Sequence, residues 1–501
     1  MSRIIRRILV IIPAVALEVL WILALLTWLR PWAGIIETSL SVLSVVFVFY
    51  IIMKQDEGTY KILWLIIILF SPIVGALLYL LFGNKRTTRP LRKALEKNPL
   101  LPVESDTAVL DRLSCDNKRI SQTFGYIEAM TGLPTCINTS VKYYPLGDEM
   151  FPDMLSEIEK ARHFILVEYF IIEGGVMWDA MVDLLAAKAK EGVTVKVLYD
   201  DFGSIATYSA REVRKLWHLG IECVPFNPLI FIKGTLNYRD HRKMLIVDNR
   251  VVFSGGINLA DEYINAKVKY GHWKDIGFRL EGKAVTSYSR MFVQFWNAFA
   301  MTPLTDDVLI GYEDDDNADD GYVLSYYDSH LRAKATSNEL FIELLSQAKD
   351  YAWFYTPYLI LGDKLLDAFL RASSRGVDVR IIMPGIPDKK IIYRISRSFY
   401  PVLLEAGVKI YEYTPGFVHA KASIVDDEIC TIGTVNLDYR SLFLHFENNS
   451  VFYKSSVLED LKADYLASEE KCRPVVPGKT YRPSLHRWLV DGVLRIIAPL
   501  C

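Results

Sequence analysis

His241-Arg-Lys243-Met-Leu-Ile-Val-Asp248 recurs as His419-Ala-Lys421-Ala-Ser-Ile-Val-Asp426, 178 residues further along the chain. Both read H-x-K-x-x-x-x-D. Each is followed after six residues by a small-residue turn ending in asparagine, Gly255-Gly256-Ile257-Asn258 and Gly433-Thr434-Val435-Asn436. The chain has only eight histidines, so two in one matched context mark an internal duplication.

The duplication extends outward from the motifs. Phe164-Ile-Leu-Val-Glu168-Tyr169-Phe170 reads as a buried strand, and Met181, Leu184, Leu185 and Ala189 follow at helical spacing. Gly192 ends that helix before a second strand, Val193 to Asp200. The second half repeats the order: strand Tyr351 to Pro357, helix Leu365 to Ser374, Gly376, then strand Val377 to Pro384. A third apolar run precedes each motif, Gly220 to Phe226 and Gly407 to Tyr413. The alternation predicts an α/β fold built of two halves, 138–312 and 321–475. The acidic run Glu313 to Asp320 between them reads as a solvated linker. The first half inserts Leu229-Ile-Phe-Ile232 before its motif, an apolar loop that either dips into a membrane interface or folds onto the domain.

In a strand, side chains two apart share a face, so His241 pairs with Lys243 and His419 with Lys421. The aspartates stand at the opposite parity, which favours a structural role for Asp248 and Asp426 within the motif. Set face to face across a pseudo-twofold axis, the copies offer two imidazoles, two ammonium groups and the amides of Asn258 and Asn436. That constellation suits a phosphodiester. Lysines and amides hold the non-bridging oxygens, one neutral imidazole attacks phosphorus, and the other moves the proton of the alcohol. The catalytic set is therefore His241, Lys243, Asp248, His419, Lys421 and Asp426. No carboxylate and histidine cluster has the spacing of a metal site, so neither metal nor cofactor is expected.

Residues 8–29, 33–53 and 62–82 are apolar stretches, each about the roughly 20 residues that cross a bilayer. Glu18 interrupts the first, but fourteen Leu, Ile and Val residues outweigh it. The stretch is too long, too Trp-rich and lacks the cleavage site of a signal peptide. A membrane region over 1–95 with two or three helices follows, hence a multi-pass protein of the cell membrane. The basic cluster Lys85, Arg86, Arg89, Arg92 and Lys93 outnumbers Arg3, Arg6 and Arg7, which places the catalytic region on the cytoplasmic side. Ser484 to Leu500 sets Arg487, Asp491 and Arg495 four apart on an otherwise apolar helix, and 484–501 is expected to be amphipathic. The six scattered cysteines form no C-x-x-C pair and fit a reduced compartment.

The paired H-x-K-x4-D is the signature of the phospholipase D superfamily, and the surrounding blocks resemble one branch, the bacterial cardiolipin synthases. Those blocks are Ser71 to Gly83, Ile165 to Phe170, Val197 to Gly203, Asn237 to Lys243, Gly255 to Tyr263, Met383 to Lys389 and Gly433 to Ser441. The resemblance implies two phospholipase D-like domains, mixed sheets flanked by helices, preceded by transmembrane helices. It implies transfer of a phosphatidyl group between two phosphatidylglycerols through a phosphohistidine, with release of glycerol. It also implies a carboxylate downstream of each motif to orient a histidine, and Asp275 and Glu447 match. Two departures are His445, where the family usually has Asn, and His330, where Pro is common. Phosphatidylglycerol and membrane lipids are the expected partners. Hydrolysis, or transfer to another alcohol, uses the same motif and stays open. A net charge of −2 speaks against a nuclease, since nucleic acid demands a basic surface.

Overall fold

The computed structural model describes residue 27 and residues 32–54, 56–83, 88–101, 107–228, 237–305, 320–329, 335–477 and 485–500. The chain divides into two compact units, Met1–Arg86 with Gly492–Leu500, and Thr87–Asp491 with Cys501.

In the first unit a helix spans Ala33–Met53, a second Gly58–Phe70 and a third Pro72–Leu78. Among the described residues no helix is long and apolar enough to cross a membrane. These helices do not bear out the expected spans 33–53 and 62–82. Past Glu37 the first helix has an uncharged run over 38–53, about 24 Å against roughly 30 Å of hydrocarbon. The stretch 62–82 is broken at Ser71, where backbone ψ turns to 87° and Pro72 starts a new helix. The stretch 8–29 lies outside the described residues apart from Thr27, as do 229–232, Arg3, Arg6, Arg7, Lys85, Arg86 and His330.

The second unit carries nineteen strands among its described residues. The first ten are β1 (Thr135–Cys136), β2 (Thr139–Tyr144), β3 (Phe164–Tyr169), β4 (Thr194–Asp200), β5 (Glu222–Phe226), β6 (Arg239–Asp240), β7 (Lys243–Val247), β8 (Val251–Gly255), β9 (His272–Lys274) and β10 (Gly277–Gly282). The rest are β11 (Tyr322–Asp328), β12 (Tyr351–Tyr355), β13 (Asp378–Pro384), β14 (Lys409–Tyr413), β15 (Gly416–Val418), β16 (Ala422–Val425), β17 (Ile429–Gly433), β18 (His445–Tyr453) and β19 (Cys472–Pro474).

Their order shows the duplication. The first sheet runs β2-β10-β8-β7-β3-β4-β5, and the second runs β11-β18-β17-β16-β12-β13-β14 within a larger sheet. Position by position the two orders match, with β3-β4-β5 and β12-β13-β14 parallel and the remaining neighbours antiparallel. Parallel pairing needs a crossover, and helices Val176–Lys190 and Asp363–Ser374 supply it. Gly192 and Gly376 follow those helices at φ +94° and +95°, the left-handed conformation that glycine adopts without a Cβ clash.

The inner faces of both sheets share one core with helix Val285–Phe299. Alternation along β7 sends Met244 and Ile246 into that core and Leu245 and Val247 to the opposite face. Phe278 of the first half meets Phe452 of the second edge to face at 5.4 Å. The halves are thus one folding unit, and the site forms where their strands exchange partners.

Candidate active site

Neither motif histidine lies within its strand, a correction to the expected placement. β7 begins at Lys243 and β16 at Ala422, so His241 and His419 stand just ahead. Backbone pairing with the opposite half holds them there. β6 pairs with the start of β18, and His241 N–H donates to the Phe446 carbonyl at 2.8 Å. Reciprocally, β15 pairs with β9, and His419 N–H donates to the Lys274 carbonyl at 2.7 Å.

The same crossing delivers the orienting carboxylates. Glu447, two residues into β18, lies 2.8 Å from His241 Nδ1, and Asp275, just after β9, lies 2.6 Å from His419 Nδ1. Each histidine is therefore oriented by the half to which it does not belong. With both Nδ1 atoms engaged, Nε2 is the ring nitrogen left for chemistry on either side. Glu447 also accepts from the hydroxyls of Ser441 (2.6 Å) and Thr434. Asp275 has no hydroxyl partner at the matching position, which is Gly256. A Cβ there would lie 2.1 Å from Asp275 Oδ1, so the glycine makes room for the carboxylate.

Both imidazoles are buried, with aromatic neighbours. Phe170 stands 4.9 Å from His241, while Tyr263 and Trp273 stand 5.3 and 5.7 Å from His419. Burial and the nearby lysines depress both ring pKa values, His419 to about 4 and His241 well below its ordinary range. Each lysine ammonium donates to the carbonyl of its own histidine, Lys243 at 2.6 Å and Lys421 likewise. Burial lowers Lys243 to about 8 and Lys421 to about 7, against the pull of Asp275 and Glu447. An ammonium is charged below its pKa, so the ligand-free site loses positive charge as pH rises through 7 to 8. If both lysines must be cationic to hold a phosphate, kcat/KM falls across that window. Lys421→Arg should shift the falling limb upward, because a guanidinium stays charged. A pH profile with an unshifted limb would assign it to another group.

Asp248 and Asp426 do not join this cluster. Asp248 accepts backbone N–H bonds from Arg162, His163 and Phe164 at 2.7, 2.8 and 2.8 Å. Asp426 takes Lys349, Asp350 and Tyr351 at 2.7, 2.9 and 2.8 Å. Both sit at φ +53° in the turn to the next strand, a conformation that Asp and Asn tolerate better than most residues. Their expected place in the catalytic set is corrected on this geometry: they fasten the motif strand to the start of β3 or β12. Asp248→Ala should cost about 1–3 kcal/mol of stability by removing three hydrogen bonds to a carboxylate, read as a lowered midpoint in urea unfolding.

The asparagines differ. Asn258 accepts from Ile171 N–H at 3.1 Å and donates to Tyr263 Oη at 2.7 Å, so it is committed within the protein. Asn436 Oδ1 is buried without a hydrogen-bond partner. Beneath the first motif, buried Arg242 meets Glu168 at 2.6 Å and covers Phe295 at 3.5 Å. The second motif carries Ala420 there. Sequence reasoning passed over Asn448, whose Oδ1 accepts from Lys243 N–H at 3.1 Å and whose Nδ2 donates to Ser254 Oγ at 2.8 Å. No signal short of the strand pairing reveals it. His445, noted as a departure, lies 6.0 Å from His241, ring to ring.

A family model described as "Cardiolipin synthase, PLD-like domain" matches residues 154–296 and 341–467, and one described as "Phospholipase D-nuclease N-terminal" matches 42–84. A protein named cardiolipin synthase from Alkalihalophilus pseudofirmus is 32% identical over 486 residues, 94% of this chain and 95% of that one. Cardiolipin synthase 2 of Bacillus anthracis is 32% identical over 476 residues, 90% and 88% of the two chains. An uncharacterized protein of Streptococcus mutans is 39% identical over 462 residues, 90% and 99%. Among solved structures, phosphatidylserine synthase of Haemophilus influenzae superposes with a TM-score of 0.55 at 14% identity, over 77% of this chain and 99% of that one. At that identity the likeness shows the fold.

Proposed function

Because the chain belongs to the cardiolipin synthase family of phospholipase D-like proteins, we propose that this phosphatidyltransferase joins two phosphatidylglycerols into cardiolipin and releases glycerol. The observation that carries the reading is the pair of reciprocal imidazole–carboxylate contacts, His241 with Glu447 and His419 with Asp275, beside two buried lysines.

In the first half-reaction Nε2 of one neutral imidazole attacks phosphorus. The bond from phosphorus to the glycerol oxygen breaks, and the other imidazole, protonated, gives its proton to that oxygen. Glycerol leaves and the phosphatidyl group rests on nitrogen. In the second, the now neutral imidazole takes the proton of a second phosphatidylglycerol's hydroxyl. That oxygen attacks phosphorus and the P–N bond breaks, which restores both rings. Both pKa values are depressed in the empty site, so the acid acquires its proton as the phosphate anion offsets the lysine charges. Lys243 and Lys421 supply the fixed positive charge for the oxygens that load up in transfer. Asn436 is the better placed of the two amides to add a contact, since Asn258 is already engaged.

These substrates reside in a bilayer, and the apolar segments of 1–95 are proposed to hold the enzyme there, with the catalytic unit on the cytoplasmic face. Exposed Val42, Val46 and Phe49 on helix Ala33–Met53 support an apolar environment for it. The test is to give purified protein labelled phosphatidylglycerol and weigh the products. Cardiolipin with an equal amount of glycerol is expected. Phosphatidic acid in its place would make the protein a hydrolase and overturn the acceptor assignment.

A further inference from the structure

Eleven large apolar side chains are exposed among the described residues 88–491, and five of them lie on segments that follow β3, β4 and β13 or lead into β9. That end is fixed by register. Tyr169, the last residue of β3, pairs with Lys243 and with Tyr199 near the end of β4. Tyr355, the last of β12, pairs with Ala422 and Ile382. The loops leaving β3, β4 and β13 therefore emerge beside His241 and His419. On these loops stand Ile205 (41% exposed) and Ile386 (40%), on the loop that leads into β9 stands Val268 (82%), and at the first turns of the helices that follow β3 and β13, Val176–Lys190 and Lys390–Ser398, stand Val176 (64%) and Ile391 (65%).

Polar contacts tie these loops to each other and to the site. Ser204 Oγ, next to Ile205, donates to the carbonyl of Phe170, whose ring packs on His241. Lys267, next to Val268, reaches Glu173 at 3.0 Å in the loop before Val176. Ile386 N–H donates to the Gly416 carbonyl at 3.1 Å, three residues before His419. Two exposed cations, Lys389 and Lys390, directly precede Ile391. The carboxylate closest to Lys389 is Asp388, which takes the Tyr358 hydroxyl at 2.6 Å and lies 3.8 Å from the ammonium.

Five exposed aliphatic side chains on the same side of the sheets as the motif histidines are unfavourable in water and favourable at an acyl boundary. Lysines beside them suit a surface of negative charge. We infer that Val176, Ile205, Val268, Ile386 and Ile391, with Lys389 and Lys390, form a rim that seats the mouth of the site in the interface of an anionic phospholipid bilayer. The rim rests on the reading that the substrates are membrane phospholipids, and it supplies what that reading lacks: a route by which a headgroup reaches two buried histidines without leaving the interface.

The test compares full-length Val268→Asp/Ile391→Asp with the unaltered protein on two forms of one substrate. On long-chain phosphatidylglycerol liposomes turnover should fall at least tenfold. On monomeric short-chain phosphatidylglycerol it should stay within twofold. Equal losses on both forms, or no loss on liposomes, overturn the rim. If the unaltered protein turns over neither form, the functional reading fails and the rim is judged by a second measurement. For that, an environment-sensitive fluorophore on Val268→Cys, in a Cys115→Ser background, should shift to the blue in phosphatidylglycerol liposomes and less in neutral ones. Unchanged emission overturns the rim. So does a shift that follows protein concentration and not lipid, since a second copy would then cover these residues.

Discussion

His241→Ala and His419→Ala are each expected to lower kcat by about 10⁴-fold or more while leaving the fold intact. The size follows from roles that act as a unit. Removing a nucleophile abolishes the covalent route, and removing a proton-transfer group forfeits about 10²–10⁴-fold in each half-reaction. The two variants should nonetheless fail differently. Whichever histidine is the nucleophile, its loss prevents any covalent phosphatidyl label. Loss of the acid and base slows both formation and resolution of the intermediate, so labelled protein accumulates slowly on the surviving ring. Quenched reactions with phosphorus-labelled substrate would assign the roles. Substantial turnover by either variant would end the two-histidine scheme. The fold should survive because the shared core closes through Phe278, Phe452, Trp296 and their neighbours, which both substitutions leave in place.

The second large effect concerns the crossed carboxylates. Asp275→Asn should slow turnover by about 10²–10⁴-fold, in line with what an amide costs when it replaces the carboxylate behind a catalytic imidazole. The damage should fall on His419, in the opposite half, and not on His241, 34 positions earlier in its own half. In a double-mutant cycle Asp275→Asn should add little once His419 is alanine, and Glu447→Gln little once His241 is alanine. Additive losses within those crossed pairs would contradict the geometry. Glu447→Gln should be the milder change, since Ser441 and Thr434 still position the side chain that faces Nδ1. Gly256→Ala should resemble Asp275→Asn, because the added Cβ meets the Asp275 carboxylate. Each half expressed alone should be inactive, as neither keeps a complete imidazole–carboxylate pair.

The crossing also explains why the two halves stay together as one chain. A histidine on one half and its carboxylate on the other are brought together by β6 on β18 and by β15 on β9. The same strands order the main chain around both rings, so docking of the halves and assembly of the site are one event.

Much of this was legible from residue order alone. Two H-x-K-x4-D copies in matched surroundings define a duplicated α/β fold and a matched pair of imidazoles, because strand, helix and turn signals are local and chemistry needs particular side chains. The strands from Phe164, Thr194, Tyr351 and Asp378 begin within one residue of where apolar periodicity places them. Which residues touch across the duplication was beyond that reach. Nothing in the spacing of Asp275 from His241 tells that it serves His419 instead. Nor does parity alone show that Asp248 and Asp426 spend themselves on three backbone donors each. Those choices depend on which strand edges pair between halves, and pairing is settled by burial of both sheets in one core. Local sequence supplied the reactive groups; the shared interior decided which of them meet.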